Sequence, residues 1–442
     1  AEQAIKAASL LGADVNVAPW AIMRPAKLKQ HKDGRLVASV HCDKTHDPAG
    51  EMKGWLLKKD NYERIFSVQT SQAIEDTSIG NYDDTVRHLV TANRDDYGWV
   101  IRSDDRWSVE PLGHVEKALG FMGLNPKEIK QLIGQSVLRP WEISNIPFQP
   151  EYPGNRKWNR ESAQFRHTPT ANMDNLNTPT WNRVLEHLGR NLNEALKTLP
   201  WAKNNNIVTG GDYLRIWIAS LFQEPLQPLP YLFFWGDQNC GKSIFHESLT
   251  MLLTRGVVRA DSALMSSSNF NAELENAIIC VVEETDLRKS MTAYNRIKDW
   301  VTAPMLPIHR KNQTPYMVVN ATHWVQCNND PEACPIFPGD TRIVMCFVDK
   351  IDPLDMIPKK LLMPMLEKEA GDFLASVLSL EIPASNDRLN VPVIETEDKV
   401  SLSEANKTVL EHFIEDKCHF VTGEMIRFGE FCDAFMEFVD PS

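Results

Sequence analysis

The chain has 442 residues, 43% of them hydrophobic and 24% charged, the proportions of folded globular domains rather than of a disordered or fibrous chain. No apolar run approaches the ~18 residues of a membrane span, no secretory signal opens the chain, and its eight cysteines contain no C-x-x-C pair; a reduced, soluble, intracellular protein without a membrane partner is expected. The formal net charge of −12 excludes a uniformly basic surface but leaves room for a local basic patch, such as the inner wall of a ring.

Length allows about two to four domains. Residues 1–140 mix strand-like and helical segments, opening on the mildly helical AEQAIKAASLLGADV, and are expected to form an accessory domain of unknown role. WVIRSDDRWSVEP (Trp99–Pro111) predicts two strands around a turn, and NPKEIKQLIGQSV predicts a helix capped by Asn125 with Pro126 in its first turn. The acidic doublets Asp83-Asp84, Asp95-Asp96 and Asp104-Asp105 sit in turn-like surroundings. Surface acids are favoured there over the carboxylate pair of a two-metal nucleotidyl transferase. His41, Cys42 and His46 lack a second ligand pair, so zinc is not expected.

Residues 141–225 are expected to form an extended connector and a helical oligomerisation collar. Helical patterns run over Trp181–Ala202 and Gly211–Gln223. From 226 to 395, strand and helix patterns alternate: YLFFW, IFHESLTMLL, AIICVVEE, SMTAYNRIKDWV, THWVQCNN and RIVMCFV. A largely parallel sheet flanked by helices follows. A helical stretch covers Lys359–Leu380, a Pro-containing linker follows, and helices are expected at Ser403–Phe420 and in the closing EMIRFGEFCDAFMEFV. Residues 396–442 thus read as a linker and the start of a small helical module, and the chain as a fragment of a longer polypeptide.

GDQNCGKS, from Gly236 to Ser243, carries the most chemistry. It fits G-x-x-x-x-G-K-[ST], with a predicted strand before it and a helix after it, the context of a phosphate-binding loop. Backbone N–H groups of Gly236, Asp237, Gln238, Asn239, Cys240, Gly241, Lys242 and Ser243 can turn toward phosphate oxygens, and the helix start adds positive potential. Lys242 can reach the β- and γ-phosphates of ATP, and Ser243 can ligate Mg²⁺. About forty residues on, AIICVVEE ends in two acids. Glu283 is assigned to the magnesium side and Glu284 to the water-activating base. THWVQCNN ends in Asn328 and Asn329. Asn328 is the first choice for an Asn that senses the γ-phosphate and Asn329 the alternative. Arg342 opens a later strand, where it could reach a neighbouring subunit's γ-phosphate. Between these lie β-prone segments around His309, Arg310 and Lys311, read as a hairpin with a cationic tip suited to tracking a DNA backbone.

These elements in this order resemble the superfamily 3 helicases, and most closely their phage and poxvirus primase-helicase branch. The loop variant with Asn239, the double acid, a basic residue at Lys311, Asn328 and Arg342 carry the resemblance. NIPFQPEYP (Asn145–Pro153) and RLNVP (Arg388–Pro392) look like that branch's segments flanking the motor. The resemblance covers roughly 145–395, and the tail resembles the beginning of a winged-helix module. It implies a P-loop, AAA+-like motor in a homo-hexameric ring, with ATP and Mg²⁺ at subunit interfaces. Single-stranded or forked DNA would be its substrate, 3′-to-5′ its polarity, and a primase or polymerase domain its neighbour. The alternatives left open are an ATP-switched DNA-binding initiator that does not unwind, and a P-loop enzyme unrelated to nucleic acid.

Overall fold

The computed structural model describes residues 84–440 apart from 92–94, 104–105, 289, 312–314 and 386–387, and, before residue 84, the backbone of four short strands. The chain divides into two units, Ala1–Glu142 and Ile143–Ser442.

In the first unit, β1 (Val86–Val90), β2 (Asp96–Ser103) and β3 (Arg106–Glu110) form an antiparallel meander. A short strand, β4 (Trp141–Ile143), joins β1 in parallel through Leu89 and Val90. The two strands expected in this stretch are β2 and β3, which pair antiparallel up to Ser103 and Arg106. Helices α1 (Leu112–Phe121) and α2 (Pro126–Leu138) supply Val115, Leu119 and Leu132 to a small core with Val86, Trp99 and Ile101. The Asn125 side chain accepts from the amides of Lys127 and Glu128, and Glu128 accepts in return from the Asn125 amide, a complete capping box. Of the acidic doublets, Asp96 hydrogen-bonds His88 at 3.1 Å. Asp83, Asp104, Asp105, His41, Cys42 and His46 lie outside the described residues.

The second unit is built on five parallel strands: β5 (Tyr231–Trp235), β6 (Val257–Arg259), β7 (Ile279–Glu283), β10 (His323–Asn328) and β11 (Ile343–Phe347). Their spatial order is β6-β7-β10-β5-β11, so the strand that feeds the glycine loop is interior. An all-parallel sheet is covered on both faces, and the strands accordingly read as nearly continuous apolar runs.

Alternation along each strand sorts the two cores. Leu232, Phe234, Ile279, Val281, Val325 and Cys327 face one side. There they meet α3 (Pro179–Gly189), α4 (Gly210–Gln223), α5 (Ile244–Leu252), α8 (Lys359–Lys368) and α9 (Ala370–Leu378). Tyr231, Phe233, Cys280, Val282 and Trp324 face the other side. There they meet α6 (Asp261–Met265), α7 (Met291–Trp300) and α10 (Glu397–Ala405), together with a hairpin of β8 (Met305–Ile308) and β9 (Tyr316–Val319).

The helices expected as a collar share the sheet's core: Trp181, Leu185 and Leu188 of α3 and Tyr213, Leu214 and Trp217 of α4 pack with Phe234 and Phe245. The helical pattern over Trp181–Ala202 is interrupted after Gly189. Gly189 and Gly210 meet backbone to backbone, since a Cβ at Gly189 would lie 2.2 Å from the Gly210 carbonyl carbon. The stretch from Lys359 likewise resolves into α8 and α9. Instead of one helix over Ser403–Phe420, Ser403–Ala405 complete α10, and α11 (Val409–Lys417) starts afresh from a capping box of Thr408 and Glu411. In the tail, Phe413 of α11 packs edge-on against Phe431 and Phe435 of α12 (Phe428–Val439).

Candidate functional site

The glycine loop lies at the carboxyl end of β5, where ligands of open parallel sheets bind. Gly236 has φ +149°, and a Cβ there would sit 2.4 Å from the Val348 carbonyl oxygen, so the chain can leave the strand only at a glycine. Asn239 adopts the left-handed region at φ 65°, which Asn tolerates better than most side chains, and Gly241 has φ 93°. Asp237, Gln238 and Asn239 are exposed, whereas Cys240 is fully buried and belongs to the core. Among the described residues, no protein acceptor takes the backbone N–H groups of Gln238 to Ser243, which remain free donors. Lys242 is 8% exposed, and its ammonium donates to the carbonyls of Gly236 (2.9 Å) and Asp237 (2.7 Å) and to Asn329 Oδ1 (3.0 Å). Cys240 Sγ lies at 3.5 Å as a fourth, weaker partner, so the three protons of the ammonium are fully engaged.

Ser243 opens α5, and its hydroxyl caps no amide. Glu283, at the end of β7, lies on the α5 face because it continues the Ile279, Val281 alternation. Its Oε1 is 2.9 Å from His246 Nε2 of α5, and its Oε2 is 3.4 Å from Arg259 Nη1. Burial pushes the His246 imidazole below its ordinary range, and the neighbouring Glu283 carboxylate opposes that shift. Mg²⁺ takes hard oxygen donors alongside phosphates, and the Ser243 hydroxyl and the Glu283 carboxylate are donors of that kind. Glu284 is exposed and sits at φ 52°, with its amide bonded to the Cys327 carbonyl.

The two asparagines separate. Asn328 Oδ1 accepts from the Asp330 amide and its Nδ2 reaches the Thr285 carbonyl at 3.3 Å, so it shapes the loop. Asn329, the second choice on sequence, meets Lys242. The reason is the two-residue period: 329 shares the glycine-loop face with Val325 and Cys327, and 328 shares the opposite face with Trp324 and Gln326.

Arg342 lies far from these groups. It precedes β11 and its carbonyl accepts from the Tyr231 amide, placing it level with the start of β5. The loop is five residues further on, about 16 Å along the strand. Among the described residues the buried Nε of Arg342 has no hydrogen-bond partner, and burial followed by the nearby Arg388 pushes its pKa down.

The hairpin pairs Ile308 with Tyr316, and buried Leu306 and Ile308 anchor it. Its cationic triplet divides. Arg310 binds Glu275, with Nε 2.8 Å from Oε2 and Nη2 on the same oxygen, and Glu275 is only 5% exposed. Arg310 thus makes an anchoring contact with Glu275 in this structure. The His309 backbone is held by Asn271, and Lys311 is exposed with no partner among the described residues.

Sequence reading missed His246, Arg259 and Asp261, whose carboxylate accepts from the Glu283 amide and the Thr285 hydroxyl. For His246 a signal existed: it follows the helix-opening Ser243 by three, one turn further along the same face. Arg288 was missed as well; it joins Asp286, Asp330 and Glu332, tying the segment after the acids to the segment after the asparagines.

Residues 234–342 match the model of a family of unknown function (DUF5906). Over 129 residues the chain is 28% identical to a DNA primase-polymerase of Nitratiruptor phage NrS-1, a match that covers 28% of this chain and 18% of that protein. Among solved structures, the apo C-terminal region of NrS-1 superposes with a TM-score of 0.52 at 18% identity, covering 80% of this chain and 83% of that one. A second apo form of that region superposes with a TM-score of 0.51 at 17% identity, covering 80% and 84%. The chain is thus similar in sequence to part of a phage DNA primase-polymerase, and its mixed α/β fold, with a parallel sheet between helices, is similar to that of the phage protein's C-terminal region.

Proposed function

We propose that this chain is the motor region of a phage-type replication protein: an ATP hydrolase that binds Mg²⁺–ATP on the Gly236–Ser243 loop and drives a superfamily 3, AAA+-like DNA helicase. The observation that carries this reading is the convergence, at one end of the parallel sheet, of Lys242 on Asn329 and of Glu283 on the phosphate-loop helix through His246. Lys242 already occupies an acceptor-lined position, and phosphate oxygens would replace the Gly236 and Asp237 carbonyls around it. The free N–H groups of Gln238 to Ser243 would receive the remaining oxygens.

Mg²⁺, when bound, would offset phosphate charge, held by Ser243 and Glu283. His246 and Arg259 keep Glu283 oriented toward α5, while solvent-facing Glu284 is free to accept a proton from the attacking water. Asn329 would position that water or sense the γ-phosphate, with Asn328 shaping its loop. Arg342, remote from its own loop and with an Nε that has no hydrogen-bond partner among the described residues, suits action on the site of a neighbouring copy in a ring, and a homo-hexamer accommodates that arrangement. Lys311 would touch single-stranded or forked DNA. In this scheme residues 226–395 are the motor, the helices of 141–225 its collar and 396–442 a winged-helix-like start. The similarity to a primase-polymerase supports a primase or polymerase partner.

The test uses the full chain with Mg²⁺–ATP. DNA-stimulated hydrolysis and unwinding of a forked duplex are expected, both lost in Lys242→Ala. Stimulated hydrolysis without strand separation would instead favour the ATP-switched initiator. Hydrolysis indifferent to DNA would favour a P-loop enzyme unrelated to nucleic acid.

A further inference from the structure

We infer that the closing helices α11 and α12 form a docking surface for a cationic amphipathic helix of a partner protein. The apolar side chains of α12 span more of the helix than its neighbour covers. At about 100° per residue, Phe431, Phe435 and Phe438 fall on one flank of the apolar arc, and Phe428, Met436 and Val439 on the other. The first flank is occupied: its three rings lie 5.3, 5.3 and 5.5 Å from the ring of buried Phe413 in α11. The second is open, with Phe428 81%, Met436 61% and Val439 49% exposed. Met425 and Ile426, just before α12, and Leu410 and Ile414, on either side of Phe413 in α11, are exposed too. Single apolar side chains at a surface need no partner, but a row of them along one helix marks a contact.

Charge selects the occupant. Glu430, Asp433 and Glu437 form the polar face of α12, and Asp433 lies one turn before Met436. Among the described residues, none of these three carboxylates has an ion-pair or side-chain hydrogen-bond partner. From Thr408 to Asp440 there are eight carboxylates and two permanent cations, Lys417 and Arg427. Glu411 is used in the capping box and Glu415 pairs with Lys407, which leaves six for a partner. Such a field repels a phosphate backbone, and it repels a second copy of the same surface. It attracts Lys and Arg from the polar face of a helix whose apolar anchors cover Phe428, Met436 and Val439. Methionine adds a flexible contact that adapts to the shape of the anchor.

The test is fluorescence anisotropy of the full chain with a labelled synthetic helix of about 18 residues, built from Leu and Lys at amphipathic spacing, beside a Leu–Glu helix of the same pattern. The Leu–Lys helix should bind at least about ten-fold tighter than the Leu–Glu helix. Phe428→Ser with Met436→Ser removes exposed groups and leaves the Phe413 contacts in place. It should weaken the Leu–Lys helix about ten-fold at unchanged thermal melting. Asp433→Asn with Glu437→Gln should weaken it about three-fold and flatten its dependence on salt. Hydrogen exchange over Phe428–Val439 should slow when the Leu–Lys helix is added. Affinity unchanged in both variants would overturn the surface, since the peptide then binds elsewhere on an acidic chain. Equal binding of the Leu–Glu helix would overturn the charge argument. If the serine pair instead abolishes self-association in sedimentation, the face joins copies of this chain. If it weakens binding of single-stranded DNA, the face is a nucleic-acid contact. Either result overturns the partner helix.

Discussion

Removing Arg310 tests whether the hairpin's central cation is an anchor or a DNA contact. In Arg310→Met the aliphatic bulk is retained, but Glu275 loses its guanidinium while remaining 5% exposed. Stripping one partner from a buried ion pair costs about 3–5 kcal/mol, because the remaining charge stays desolvated. The Arg310 side chain is 32% exposed, so solvent screens part of the interaction and a cost of about 2–3 kcal/mol is expected. Arg310→Met with Glu275→Gln should regain much of it, since the stranded charge is then gone.

Urea unfolding followed by tryptophan fluorescence reads this directly, because Trp300 and Trp324 belong to the core that carries the hairpin. Single-stranded DNA binding, measured by anisotropy against salt, gives the second arm. A lost phosphate contact lowers the salt slope by about 0.7, so Lys311→Met should lower it and Arg310→Met should not. Lys311→Met should change stability by less than about 0.5 kcal/mol. If Arg310→Met is as stable as wild type and its salt slope falls, the anchoring argument is wrong and Arg310 reads the backbone.

Asn329→Ala should reduce ATP turnover at least about ten-fold at unchanged stability, as loss of a positioned hydrogen bond does, whereas Asn328→Ala should act chiefly by loosening its loop; steady-state ATPase with thermal unfolding distinguishes them. Arg342→Ala should leave nucleotide affinity within about two-fold and suppress hydrolysis, and adding a Lys242→Ala chain should restore turnover if the Arg acts on a neighbour's site. Glu369, at the start of α9, accepts from the amides of Thr180 and Trp181 and from the Thr180 hydroxyl, so Glu369→Ala should cost about 2 kcal/mol in urea unfolding. Asp372 is held below its ordinary carboxylate range by the Thr170 hydroxyl and the Asn177 amide. A carboxylate with a depressed folded pKa stabilises above its unfolded value and loses that contribution as pH falls. The melting difference between wild type and Asp372→Asn should therefore be full at neutral pH and shrink below about pH 4.

The strand–loop–helix unit at Tyr231–Leu252 was legible in the chain because its signals are local. An apolar run, glycines where φ must be positive, and a helical period need no distant partner to be recognised. The capping box at Asn125 and the strands ending in Glu283 and Asn328 were legible for the same reason. Choosing between Asn328 and Asn329 needed the strand's phase against the sheet. A one-residue shift exchanges the faces, and only packing against Phe234 and Phe245 on one side and Trp300 on the other sets it. Arg310 could not be told from Lys311 by composition, because its carboxylate partner Glu275 lies 35 residues away on another element.

Sequence alone determined that this chain carries a strand, glycine loop and helix within alternating strands and helices, since local backbone chemistry and periodicity leave few other solutions. Tertiary structure decided which side chains share the site. Glu283 meets His246 and Asn329 meets Lys242 because the parallel sheet brings strands and helices from distant parts of the chain to one carboxyl end.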